Sequence, residues 1–137
     1  MVVGDSTVHL EPTDAGQTSR LILVSGPARS GKSRWAEHLL HHHPVVTYIA
    51  TAATRPDDRD WQMRLEAHRK RRPDHWSVAE SGDELVNVID NLAPGQSVLI
   101  DALGGFVAHH LELTASEWHQ LCEQLIARSG HPTARLF

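Results

Sequence analysis

Several stretches of this chain carry residue types and spacings suited to handling phosphate. Gly26-Pro27-Ala28-Arg29-Ser30-Gly31-Lys32-Ser33 satisfies the pattern G-x-x-x-x-G-K-[ST]. Glycines let the backbone wrap an anion so that consecutive N–H groups point inward. A helix opening at Lys32 adds the partial positive charge of its N-terminus at the same point. In that layout Lys32 reaches the β- and γ-phosphates of a nucleoside triphosphate, and the Ser33 hydroxyl holds Mg2+. Val98-Leu99-Ile100-Asp101 puts an acid at the end of an apolar run, where a carboxylate binds Mg2+ directly or through water. A helix-capping aspartate at a strand end would look the same. Ser33 and Asp101 are therefore the candidate metal ligands.

The segment from Trp61 to Arg72 is the other informative stretch. Trp61, Leu65 and His68 fall at i, i+4 and i+7, one face of a helix, so His68 is expected at the end of an apolar stripe, near the core. Arg69, Lys70, Arg71 and Arg72 follow within one turn. In an acidic protein, such a cluster suits a polyanion such as a triphosphate. The alternative is a solvated helix end, where cations are favoured by the helix dipole, with a histidine that serves structure rather than chemistry.

Elements must place these groups. Leu21–Val24 reads as a strand buried on both faces, followed by the phosphate loop and a helix over 32–42. Strands are expected at 45–50, 76–79 and 98–101, and helices at 59–72, from Ser81 to about Leu92, within 103–113 and over 114–128. Ser81-x-x-Glu84 and Thr114-x-x-Glu117 both fit capping boxes. Residues 1–19 read as a mobile arm and 20–137 as one nucleotide-binding domain. Strands alternating with helices predict an α/β fold of the phosphate-loop NTPase type, a mainly parallel sheet with helices on both faces. The tail from Ser129 to Phe137 shows no strand or helix pattern.

Composition narrows the classes. With 40% apolar and 22% charged residues the chain is an ordinary globular one. A net charge of −4 weighs against a nucleic-acid binder, and no apolar run is long enough for a membrane span. The start has no signal-peptide pattern and Cys122 is the single cysteine, which together fit a reducing cytoplasm. His41-His42-His43 and His109-His110 are read as surface groups near helix ends, and Trp35 and Trp118 as partly buried anchors. His75 and Trp76 are read as packing residues after Pro73.

The phosphate loop, together with Tyr48-Ile49-Ala50-Thr51-Ala52, the pattern Arg64-x-x-x-His68-(x)4-Pro73-x-x-Trp76, and Val98-Leu99-Ile100-Asp101-Ala102-Leu103, resembles the bifunctional adenosylcobinamide kinase / adenosylcobinamide-phosphate guanylyltransferase family. The resemblance covers roughly residues 20–128. It implies phosphorylation of adenosylcobinamide with ATP or GTP, then transfer of GMP from GTP to adenosylcobinamide phosphate through a guanylylated histidine. The motif puts that histidine at His68; some members have two adjacent histidines where this chain has Ala67-His68. The resemblance further implies that Gly26 to Ser33, Ala50, Thr51, Ala52, Arg69 to Arg72, Glu80 and Asp101 contact nucleotide or Mg2+, with Lys32 serving the phosphoryl transfer. It also implies a homotrimer.

Two departures stand out. The family's loop usually carries a second glycine where this chain has Pro27, which lacks an N–H and fixes φ. The family also continues past the position of Phe137 with further strands of the sheet, so the resemblance implies a truncated chain. In such a chain the strand ending at Asp101 would lack a neighbour on one side, and stability would be marginal. Two other functions remain compatible with the residues: a phosphate-loop kinase for a different small molecule, and a nucleotide-binding remnant without turnover.

Overall fold

The protein is described by a computed structural model, which covers residues 21–129 and 135–136. The arm expected over residues 1–19 lies outside these. Strands and helices alternate as β1 (Leu21–Ile22), α1 (Lys32–Leu40), β2 (Val46–Ala50), α2 (Arg59–Arg71), β3 (Ser77–Glu80), α3 (Leu85–Asp90), β4 (Ser97–Asp101), α4 (Leu103–Ala108), α5 (Ala115–Ser129) and β5 (Arg135–Leu136). The strands form one sheet in the order β1-β5-β4-β2-β3, with every pair parallel.

The centre of the sheet follows from its residue types. Val46, Thr47, Tyr48 and Ile49 are β-branched or aromatic, suit a pleated strand, and are all buried between β4 and β3. Alternate side chains feed two separate cores. On one face Val46, Tyr48 and Leu99 pack with Ala36 and Leu40 of α1 and with Trp76, joined by Ile22 and Val24. On the other face Ile49, Val98 and Ile100 pack with Leu85 and Ile89 of α3 and Phe106 of α4, with Trp118, Leu121 and Leu125 of α5 closing over them. Helices thus cover both faces, as the alternation of elements predicts.

The structure departs from the sequence reading at several points. The tail does contain a strand: β5 inserts between β1 and β4. The strand carrying Asp101 is therefore flanked on both sides and is not a sheet edge. β1 is shorter than expected and is not buried on both faces, because it lies at the outer edge. Ile22 and Val24 face the α1 core, while Leu21 and Leu23 are 49% and 63% exposed.

The capping boxes divide. Thr114 and Glu117 form one reciprocally: the Thr114 N–H and hydroxyl donate to Glu117 Oε2 at 2.8 and 2.7 Å, and the Glu117 N–H donates to Thr114 Oγ1 at 3.3 Å. Those bonds from Thr114 hold the Glu117 carboxyl below its ordinary pKa. Ser81 caps nothing. Its N–H instead extends the ladder to Ala50 O at 2.9 Å, and α3 starts later, at Leu85.

The histidines read as surface groups are more engaged than expected. His43 Nδ1 lies 2.6 Å from Ser97 Oγ, and His109 Nε2 lies 2.9 Å from Thr51 O. His110 stacks edge-on against the buried Phe106 ring at 4.9 Å. Trp35 and Trp118 are half-buried and Trp76 is buried.

Candidate active site

The phosphate loop leaves β1 and winds into α1 through two left-handed residues, Arg29 (φ 59°) and Gly31 (φ 85°). Gly31 is the N-cap of α1, and its positive φ is a conformation open to glycine at little cost. The Pro27 carbonyl accepts from the Ser30 N–H and from Lys32 Nζ, both at 3.2 Å. The turn is thus closed through the Pro27 carbonyl, and the lysine ammonium is folded over the loop.

At the C-terminal end of the sheet Ala50 pairs with Glu80 on one side and Asp101 on the other. These three residues form one row on the α1 side. Asp101 is the best-connected of them. Its Oδ1 accepts from Ser33 Oγ at 3.4 Å and its Oδ2 from the Tyr48 hydroxyl at 2.7 Å. Burial, followed by the charge of Asp101, pushes the Tyr48 phenol far above its ordinary pKa, so it stays a donor. The Arg72 guanidinium lies over the Tyr48 ring, 4.0 Å from its centroid, a cation–π contact. Glu80 is exposed at the end of β3.

Thr51 is fully buried, and its groups are turned inward. Its N–H donates to Asp101 O at 3.2 Å, its hydroxyl donates to Ala102 O, and the Ala102 N–H donates back to Oγ1 at 2.9 Å. Thr51 ties the loop after β2 to the loop after β4 and offers neither hydroxyl nor backbone outward. A Cβ on Gly105 would meet Thr51 Oγ1 at 2.5 Å and Ala52 N at 2.9 Å, so α4 approaches this junction only because residue 105 has no side chain. Ala52 is exposed beside it.

α2 opens at Asp58, whose carboxylate accepts from the Trp61 N–H at 3.0 Å. None of its residues is buried. The expected apolar stripe therefore does not reach the core: Leu65 is exposed, and Trp61 and His68 are half-exposed. The helix is held at its C-terminal end by charge instead. Glu37 of α1, 7% exposed at its side chain, receives Arg71 Nε on Oε2 at 3.2 Å and lies 3.4 Å from His68 Nδ1 through Oε1. Arg71 Nη2 is 3.4 Å from the same Oε1 and 3.1 Å from His68 Nδ1. Burial alone would raise the Glu37 pKa, but the hydrogen bonds from His68 and Arg71 and their charges outweigh it and hold the carboxyl below its ordinary value.

The cationic turn is therefore split. Arg71 and Arg72 point inward, to Glu37 and Tyr48. Arg69 and Lys70 are exposed, with Lys70 4.0 Å from Glu66 on its own helix. Glu37 was missed by sequence reasoning. The available signal was its position four residues after Ser33, the same face of α1 one turn on.

A parallel α/β sheet with this loop, and with an acid on a neighbouring strand end bonded to the loop serine, defines a phosphate-loop protein. The family model described as cobinamide kinase / cobinamide phosphate guanyltransferase matches residues 22–136, and the chain belongs to that family. It is 40% identical over 92 residues to the bifunctional adenosylcobalamin biosynthesis protein CobU of Salmonella typhimurium, covering 66% of this chain and 50% of that one. To the protein of the same name from Escherichia coli it is 37% identical over 113 residues, covering 77% and 61%. To CobP of Pseudomonas aeruginosa it is 41% identical over 83 residues, covering 59% and 47%. The chain thus spans about half to three-fifths of the length of the curated relatives it matches.

Proposed function

We propose that this chain carries the nucleotide site of an adenosylcobinamide kinase and adenosylcobinamide-phosphate guanylyltransferase. In this reading it binds ATP or GTP on the loop from Gly26 to Ser33, with adenosylcobinamide and its phosphate as the acceptors and the cytoplasm as its compartment. The observation that carries the reading is the Ser33–Asp101 contact beside the phosphate loop, in a chain whose family model is described by this chemistry.

Mg2+ fits the oxygens present. It takes hydroxyl and carboxylate ligands and keeps several waters, and Ser33 Oγ and Asp101 Oδ1 lie 3.4 Å apart. These two residues would hold it, and when bound it would neutralise charge on the phosphate oxygens. Tyr48 fixes the Asp101 carboxylate in place by its hydrogen bond. Lys32 and the inward N–H groups of the loop bind and orient the phosphates. Arg69 and Lys70, exposed on α2, would approach a phosphate chain, Lys70 leaving its 4.0 Å contact with Glu66. Ala50, Ala52 and Glu80 would border the nucleotide at the sheet end. Thr51 acts through the loop it holds. His68 would accept GMP on nitrogen, a neutral imidazole being a good nucleophile near neutral pH.

Incubation with GTP labelled at its α-phosphorus tests the reading. Label should stay on the protein, survive alkali and be lost in acid, as a phosphoramidate is. His68→Ala should abolish it, whereas label that persists or moves to His75 assigns the wrong residue. Lys32→Ala should weaken GTP binding in the presence of Mg2+ when followed by isothermal titration; equal affinity for both proteins would refute the loop assignment. A homotrimer belongs to the same reading and is checked by light scattering.

A further inference from the structure

We propose that Glu37 is the positioning residue for His68: its carboxylate takes the Nδ1 proton of the imidazole and leaves the Nε2 lone pair free to attack. The inference rests on the reading of His68 as the group that accepts GMP. Its basis is geometric. Glu37 Oε1 lies 3.4 Å from His68 Nδ1, in a carboxyl side chain only 7% exposed. No nearer acceptor to that nitrogen is present among the described residues. The other neighbour, Arg71 Nη2 at 3.1 Å, is a donor only.

With Nδ1 protonated, His68 and Arg71 Nη2 share one ionised oxygen, each 3.4 Å from it, and the 3.1 Å approach of Nη2 to Nδ1 is a contact between two donors. An unprotonated Nδ1 would instead turn its lone pair toward the carboxylate at 3.4 Å. Arg71 completes the arrangement by fixing Oε2 through Nε at 3.2 Å, which stops the carboxylate from rotating away. The hold of these bonds on the Glu37 carboxyl, kept below its ordinary pKa despite burial, keeps it charged.

The position of Glu37 links this pair to the phosphate loop. Glu37 follows Ser33 by one turn on the same face of α1, so their side chains are neighbours. Ser33 in turn contacts Asp101. Glu37 thus stands between the phosphate-binding end of α1 and the histidine on α2, and it orients the second from the first.

The chemistry balances. The Nε2 lone pair forms a bond to the α-phosphorus of GTP while the bond to the bridging oxygen breaks. Pyrophosphate leaves with that electron pair. The proton stays on Nδ1, and the positive charge developing on the ring faces the Glu37 carboxylate. When a phosphate oxygen of the acceptor attacks the same phosphorus, the P–N bond breaks and its electrons return to Nε2. A carboxylate that orients an imidazole and balances its charge does the same work in hydrolase triads.

The test combines nitrogen NMR on protein labelled with 15N-histidine and the rate of adduct formation with GTP. His68→Ala identifies the His68 signals. In the parent protein Nε2 should give the signal of an unprotonated ring nitrogen and Nδ1 that of an N–H. In Glu37→Leu the Arg71 Nη2 group is left to donate to Nδ1, so the ring should switch to the Nε2–H form. Adduct formation should then slow about 10- to 100-fold, the usual cost of losing a residue that orients a histidine, while GTP affinity stays the same. A parent His68 in the Nε2–H form, or an unslowed Glu37→Leu, overturns the inference. If the parent forms no adduct with GTP, the guanylylation reading itself fails. The NMR comparison of the parent with Glu37→Leu then still decides whether Glu37 sets the tautomer.

Discussion

The two faces of the sheet are built on opposite principles. One is dry: Leu85, Ile89, Phe106 and the inward side of α5 close over Ile49, Val98 and Ile100 with little polar content. The other combines a small apolar patch under α1 with a helix, α2, that buries no residue and is attached through Glu37, Tyr48 and their cationic partners. Apolar burial is non-directional and fixes where strand ends lie. Charged hydrogen bonds are directional and can be exchanged for bonds to a ligand. The dry face supplies the rigid platform, and the polar face carries the exchangeable groups that phosphate would recruit in the proposed function.

The contrast can be broken most decisively on the dry face. Phe106→Ala should cost about 3–5 kcal/mol of stability, because the ring is 2% exposed. Chemical denaturation gives the value, and a loss below 1 kcal/mol would mean that this face is not the platform. Gly105→Ala comes next. The new Cβ would sit 2.5 Å from Thr51 Oγ1, and relieving such overpacking typically costs about 1–3 kcal/mol. Its thermal midpoint should fall clearly; an unchanged midpoint would show that the junction of the two loops has slack.

Acid should separate the faces. The Glu37 carboxyl is held below its ordinary value of 4.5. Its bonds to α2 are therefore complete above that value and are lost as pH falls through the lowered one. Backbone NMR signals of residues 59–71 should shift between about pH 5 and pH 3 while the side-chain methyl signals of Ile49 and Val98, buried in the dry core, hold; simultaneous change in both would contradict separate attachment. The smallest effect belongs to α2 itself. Leu65→Ala should alter stability by no more than about 0.5 kcal/mol, since Leu65 is exposed. A larger loss would reveal burial of that side chain.

How much of this was legible in the sequence depended on whether a feature is local. The phosphate loop, the acid after Val98-Leu99-Ile100 and the alternation of strands with helices depend on neighbouring residues, and all take the expected form. The spacing of Trp61, Leu65 and His68 gave a true helix but a false face. An apolar period says that a stripe exists, not that anything covers it, and α2 is attached by Arg71 and Arg72 instead. Ser81 carried a cap signature, yet a strand partner at Ala50 claimed its N–H first. β5 has two residues and no apolar run to announce it. Tyr48 was not legible as a site residue, and Glu37 only through its place four residues after Ser33, because their partners, Asp101 and His68, come from other elements.

The placement of β5 has a consequence for the order of assembly. β1, which launches the phosphate loop, pairs with no described strand except β5, and β5 joins it to β4. Leu21 thus finds its partner at Arg135, nearly the whole described chain away. Contacts between distant residues form late, since closing a long loop costs entropy before it is repaid. β2, β3 and β4 with α3 can consolidate from nearer contacts. The strand that carries the phosphate loop is made first and registered last, so the loop takes its final place only when residues 135–136 pair beside it.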